Sequence, residues 1–270
     1  MENPYEILKL IKNKSWETKK RVQSDKGWDF KFLSTYAVND LLQEPKDWTA
    51  IATRVSNNKK HKFFGKDPDW ILQEWRSKGK KGQDRGMTLD TYIGAKLNKA
   101  PIFTDNMDEI ERAKCQHFDQ TYDKYFDKLP LVGQEVWLTS ELGINVRLDA
   151  LLLRPDAKEQ PALLICEWKN NENLSKSDQW NRLLGPASHL EACDWVKMTF
   201  QIHIYRFILE EYGITNTVGR IFQYTKDKYE IHKPAFPYSK DFIQNVIEWC
   251  FEERDRRKEQ ENEDQEKEEQ

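Results

Sequence analysis

The chain has 270 residues, a net charge of −3, 33% charged and 12% aromatic residues. No run of eighteen apolar residues is present, and the opening MENPYEILKL lacks a basic stretch followed by an apolar core, so neither a membrane span nor a secretory leader is expected. Cys115, Cys166, Cys193 and Cys250 form no CxxC pair and read as free thiols of an intracellular protein, not as disulfides or zinc ligands.

Residues 1–100 hold 21 Lys/Arg against 13 Asp/Glu, net +8. Residues 101–251 carry −6 and residues 252–270 carry −5. This divides the chain into a basic helical region (1–105), a core (106–251) and an acidic tail (252–270). The first helix is expected over 35–45, stopped at Pro45. A second is expected over 67–75, with Asp67 as N-cap and Pro68 at the first turn. KGKKGQ (78–83) reads as a glycine-interrupted basic loop, and helical spacing resumes over 87–97 at Leu89, Ile93 and Leu97. A long helix is expected over 107–129.

After Pro130 the period shortens to that of strands, over 134–142, 145–155 and 161–169, with a turn at Gly143 and a hairpin loop at 156–160. A break at Gly185–Pro186 precedes a helix over 195–213 that Gly213 closes. Strands over 217–225 and 228–234 and a helix over 241–253 complete the order. The tail has no aliphatic or aromatic residue, so it is expected to be disordered or a frayed continuation of that helix. The order implies an α/β fold, a mixed sheet flanked by helices, with a helical N-terminal elaboration.

Two charges stand out inside apolar strands. Asp149 interrupts VRLDALLL, and Glu167 and Lys169 end ALLICEWK on the same side of their strand. A carboxylate in such a place needs a cation or a partner. Two acids on neighbouring strands suit one oxygen-liganded divalent ion, Mg²⁺ or its substitute Mn²⁺, and an adjacent ammonium suits a phosphate or an attacking water. The plainer reading is a buried salt bridge between Lys169 and one of the acids.

This D…ExK pattern resembles the core of the PD-(D/E)xK nuclease superfamily, with Leu148 in place of the proline of its name. Gln201 and Tyr205, four apart on one helix, resemble the QxxxY motif of its RecB-like group, of the kind found in phages and large DNA viruses. Glu135 stands where that group carries a strand glutamate. WRSKGKKGQDRGMTLDTYI resembles its first motif, with Met87 in the place of a threonine and Asp90 in that of a histidine at a helix start. The likeness covers roughly residues 75–250 and implies a restriction-endonuclease-like core.

It also implies roles. Asp149 and Glu167 would bind the metal together with the Trp168 carbonyl, and Lys169 would position the water. Glu135 would serve a second metal or its water shell. Gln201 and Tyr205 would orient Lys169 or grip the DNA backbone; the plainer reading of Gln201 is a buried amide. Asp90 is either a further ligand or a solvated helix charge, and His203 is structural. Lys59, Lys60, Lys62, Lys78, Lys80, Lys81 and Arg85, with Trp75 among them, are candidate DNA contacts, or simply solubilising charges.

The implied activity is a Mg²⁺-dependent exodeoxyribonuclease in recombination, repair or replication-end processing, acting on DNA that is single-stranded or has free ends. A homo-oligomer or a recombination partner protein is compatible with it. The competing readings are a catalytically idle nucleic-acid-binding or scaffold protein and a restriction-type endonuclease. The absence of GxxxxGK[ST] argues against ATP-driven translocation by this chain.

Overall fold

A computed structural model of the chain describes residues 3–154, 162–174 and 181–268. Five strands form one sheet in the order β1-β2-β3-β4-β5: Leu131–Thr139, Asn145–Arg154, Ala162–Lys169, Thr217–Tyr224 and Tyr229–His232. The first three pair antiparallel, β3 and β4 pair parallel, and β4 and β5 pair antiparallel. The parallel pair needs a crossover, which helix α6 (Asp194–Glu211) supplies. The 156–160 hairpin loop lies outside the described residues.

The sheet has helices on both faces. One face packs against α6, α7 (Lys240–Glu268), α1 (Pro4–Lys26) and α2 (Thr35–Leu41), through residues such as Ile11, Val38, Leu151, Ile165, Phe200 and Ile247. The other packs against the C-terminal half of α4 (Pro68–Leu97), α5 (Glu109–Thr121) and the π-turn Tyr122–Phe126 that follows it, through Leu89, Ile93, Phe118, Phe126 and Trp168. β3, covered on both faces, is accordingly apolar at nearly every position. Helix α3 (Trp48–Asn57) and the start of α4 share a separate small core of Ala52, Phe63 and Ile71.

Several elements depart from the sequence reading. The basic stretch 78–83 is not a loop: α4 runs unbroken over 30 residues. Four glycines in α4, Gly79, Gly82, Gly86 and Gly94, each disfavour helix by about 1 kcal/mol. Tertiary contacts offset that cost: Asn170 Nδ2 donates to the Gly82 carbonyl at 3.1 Å, Arg85 binds Asp108 at 2.8 Å, and Leu89, Ile93 and Leu97 lie in the core. Asp90 therefore sits well inside a helix and not at its start. The helix expected to reach residue 129 ends sooner, in the π-turn, which seats Phe126 against Trp168 and Phe222. α1 and α3 had no counterpart in the sequence reading. α7 continues through the acidic segment to Glu268, and Glu253 binds both Arg256 and Arg257 at 2.7 Å.

Other expectations hold. Asp67 caps α4 with Pro68 beside it, and Gly143 and Gly213 have φ of 94° and 84°, as a hairpin turn and a helix stop require. All four cysteines are free and buried. Among the described residues no helix is long and apolar enough to cross a membrane. His203 is structural: it is buried, its Nε2 lies 3.0 Å from the Phe236 carbonyl, and burial holds its pKa down at about 4.

The seat of α6 on β4 rests on a glycine. A Cβ at Gly219 would fall 2.2 Å from Ile202 Cγ2, a buried side chain with no room to yield. Gly219→Ala is expected to destabilise the fold by about 1–3 kcal/mol through overpacking. Chemical denaturation of the two proteins checks this, and the double change Gly219→Ala with Ile202→Val should recover part of the loss.

Candidate active site

The candidate site forms where the β2–β3 ladder ends. The two strands are paired as far as Ala150 and Cys166, which leaves Asp149 and Glu167 as the next opposed positions. Beyond that point Asp149 itself supplies the acceptor: the Trp168 backbone N–H donates to its Oδ2 at 2.8 Å. The alternation of β2 also changes phase here. Val146 and Leu148 side with α6, whereas Ala150 and Leu152 side with α5. On β1, Gln134 pairs with Ala150 and Val136 with Leu148, so Glu135 faces the break, with a φ of 48°. A left-handed backbone at a residue other than glycine costs on the order of 1 kcal/mol and is most often kept where a site needs it.

Lys169 and Glu167, two apart on β3, point the same way, and Lys169 Nζ donates to Glu167 Oε1 at 2.6 Å. The salt bridge of the plainer reading is thus present, but it does not balance the site. Glu167 is 1% exposed, and among the described residues its Oε2 has no hydrogen-bond partner. An unpaired buried carboxylate oxygen is costly and calls for an explanation. Burial, then the charge of Asp149, raises the Glu167 pKa to about 8, against the pull of Lys169. Asp149 is raised for the same first reason, burial, and is held down by Lys169 and by the Trp168 N–H. For Lys169, burial works against the charge, but Glu167 and Asp149 outweigh it and raise its pKa. Partial loss of hydration and repulsion by Asp149 and Glu135 bring Asp90 up to about 6, although it keeps an exposed surface. The site therefore gathers more carboxyl groups than cations, and the pKa values of Asp90, Asp149 and Glu167 are all raised.

Among the described residues, no three His, Cys, Asp or Glu side chains gather in a group that could hold a metal ion. Mg²⁺ takes as few as one or two protein carboxylates and keeps waters and phosphate oxygens as its other ligands, so Asp149 and Glu167, opposed across the strand pair, are the residues that would hold one. The partnerless Oε2 and the excess of carboxyl groups over cations fit such an ion. Glu135 is engaged with Arg147 at 3.2 Å, both side chains being half exposed. Arg147 and this pairing were not anticipated from the sequence, because an arginine on a strand face carries no motif.

Gln201 and Tyr205 grip β2. Gln201 Nε2 donates to the Tyr205 hydroxyl at 2.6 Å, and that hydroxyl donates to the Arg147 carbonyl at 3.0 Å, two residues from Asp149. Tyr205 is fully buried, so its hydroxyl works inside the fold and not on the DNA backbone. Trp168 is likewise core, its ring packed among Phe118, Phe126 and Phe222. Lys114 was also missed. This buried lysine donates to the Asn170 carbonyl at 3.0 Å and so holds the turn that follows Lys169.

The candidate DNA contacts fall in two places. Lys59, Lys60 and Lys62 are exposed in the α3–α4 connection. Lys78, Lys80 and Lys81 are exposed on α4, next to Gly82, whose carbonyl Asn170 binds; the basic stretch thus docks beside the strand end that bears Lys169. Lys78 lies 3.6 Å from Glu74, and Arg85 is held by Asp108. Trp75 is half buried against Phe63 and Trp48, while Trp48 and Trp70 carry the exposed ring faces of this region.

Two outcomes follow. A buried carboxyl whose pKa is raised binds more protons folded than unfolded, so its contribution to stability is full at low pH and is lost as pH rises through the folded value. Between pH 6.5 and 8 the opposite contribution of His203 is nearly complete, and the fall comes from Glu167 with a smaller part from Glu211, whose pKa burial raises to about 7. Denaturation in EDTA should show stability falling across this window by about 2–3 kcal/mol; Glu167→Gln should remove the larger part of the fall and leave the part due to Glu211, and Mg²⁺ should oppose it. Tyr205→Phe removes the bond to the Arg147 carbonyl and leaves Gln201 without its acceptor. It should cost about 1–3 kcal/mol in the same assay.

No family model matches the chain, and no curated protein sequence matches it significantly.

Proposed function

We propose that the chain is a Mg²⁺-dependent deoxyribonuclease, an exonuclease of the RecB-like group of the PD-(D/E)xK superfamily, acting in recombination, repair or replication-end processing. The observation that carries this reading is geometric: Asp149 and Glu167 stand opposed where the β2–β3 ladder ends, the Lys169 ammonium lies 2.6 Å from Glu167, and among the described residues one buried Glu167 oxygen has no partner. The antiparallel β1-β2-β3 meander, followed by the parallel β3–α6–β4 unit, supports it by placing these residues at neighbouring strand ends.

Asp149 and Glu167 would hold the ion, which when bound lowers the pKa of a water and neutralises charge on a phosphodiester. Lys169 has its ammonium fixed by Glu167, ready to donate to the attacking water or to a phosphate oxygen. Gln201 and Tyr205 keep β2, and with it Asp149, in register against β3. The α4 lysines provide positive charge beside the same strand end, suited to the flanking phosphates.

A second reading, a nucleic-acid-binding protein with an idle site, draws on the absence of a three-side-chain metal group among the described residues. Digestion separates them. End-labelled linear DNA should be degraded with Mg²⁺ or Mn²⁺ and spared with EDTA, and covalently closed circles should survive; cut circles would mean an endonuclease. Asp149→Ala should reduce release of nucleotides to background, and Lys169→Ala should slow it roughly 100-fold or more. Undiminished digestion by Asp149→Ala would remove this assignment.

A further inference from the structure

We propose that the groove between α1 and the edge strand β1 binds single-stranded DNA and delivers it to the Asp149–Glu167 centre. This rests on the hydrolase reading and adds to it the form of the substrate and its route. The groove has a volume of about 880 Å³ and is lined by Lys12, Trp16, Lys19, Glu135 and Trp137, among others. None of these except Glu135 was singled out by motif.

Trp16 and Trp137 are 59% and 56% exposed, yet both face this one groove. Two large indoles left in water on opposite walls forgo the stabilisation that burial gives such rings. They are suited to stacking on flat, partly polar partners. Lys12 and Lys19 line the groove, and Lys20 stands 4.8 Å over the Trp16 ring. α1 as a whole carries seven Lys/Arg against three Asp/Glu, in the most basic region of an acidic chain. Aromatic faces interleaved with lysines form a surface for a polyanion with unstacked bases. A duplex hides its base faces and offers the indoles nothing to stack on. An acidic peptide would satisfy the lysines but not both rings.

The groove is continuous with the candidate active site. Glu135 lines it, and the same Glu135 stands opposite Asp149 and raises the pKa of Asp149 and Asp90 by its charge. Its salt bridge with Arg147 partly neutralises the acid that lines the groove at its inner end.

Binding can be measured without catalysis. The full-length Asp149→Asn chain in EDTA would be titrated with a fluorescein-labelled oligo(dT) of about 12 nucleotides, the scale of one single-strand site, and with a duplex of equal length. The single strand should bind more tightly than the duplex and quench tryptophan fluorescence. Trp16→Ala and Trp137→Ala, added singly, should each weaken it roughly tenfold. Because a tryptophan variant that misfolds would be uninformative, Lys12→Gln with Lys19→Gln gives a second reading: it should reduce the slope of log affinity against log salt by about 1.4. Circular-dichroism melts verify folding. Equal affinity for the duplex, or tryptophan and lysine variants that bind as the parent does, overturns the groove. The hydrolase reading fails separately, if the native chain with Mg²⁺ leaves the same oligonucleotide intact while binding persists.

Discussion

The site depends on an imbalance of charge at the end of a buried strand. Lys169 is one cation facing Glu167 and Asp149, with Asp90 nearby, and only one Glu167 oxygen is satisfied by it. A protein built only for stability would gain by replacing such a cluster with apolar side chains of similar volume. Keeping it makes sense if something positive completes it. The proposed divalent ion is that completion.

The fold keeps this unfavourable group in place by spending hydrogen bonds around it. Asp149 ends the β2–β3 ladder by accepting from the Trp168 N–H, which anchors its carboxylate to the neighbouring strand. The Tyr205 hydroxyl holds the Arg147 carbonyl from the α6 side. From the other face, Lys114 and the helical Gly82 carbonyl hold the turn at Asn170 just after Lys169. Both layers of helices thus converge on the two strand ends, and the left-handed Glu135 lies at the same break. Strain and uncompensated charge meet there, as is expected of a site and not of a purely structural core.

Basic surface lies on two sides of this point. One is the α4 stretch with Lys78, Lys80 and Lys81, brought to the centre because the helix does not break at its glycines. The other is the α1–β1 groove with its two open indoles. An acidic chain can attract a nucleic acid when its positive charge is gathered in this way, since the local potential and not the net charge steers a ligand. On the proposed reading, α1 and α4 form the binding rim and the sheet carries the chemistry.

The sequence by itself determined what depends on short-range order. Alternating and helical apolar spacing placed the five strands, α6 and the start of α7, and Asp67–Pro68, Gly143 and Gly213 marked ends that dihedral preference imposes. Asp149, Glu167 and Lys169 were visible because ionisable residues are conspicuous in apolar strands. Only the tertiary structure decided what depends on distant partners. The glycines of α4 read as a loop because the contacts that hold the helix, from Asn170 and Asp108, are 88 and 23 residues away. Arg147, Lys114 and the Trp16–Trp137 groove follow no local pattern; register and packing bring their partners together. The open oxygen of Glu167 likewise emerges only from the packing of the described residues around it.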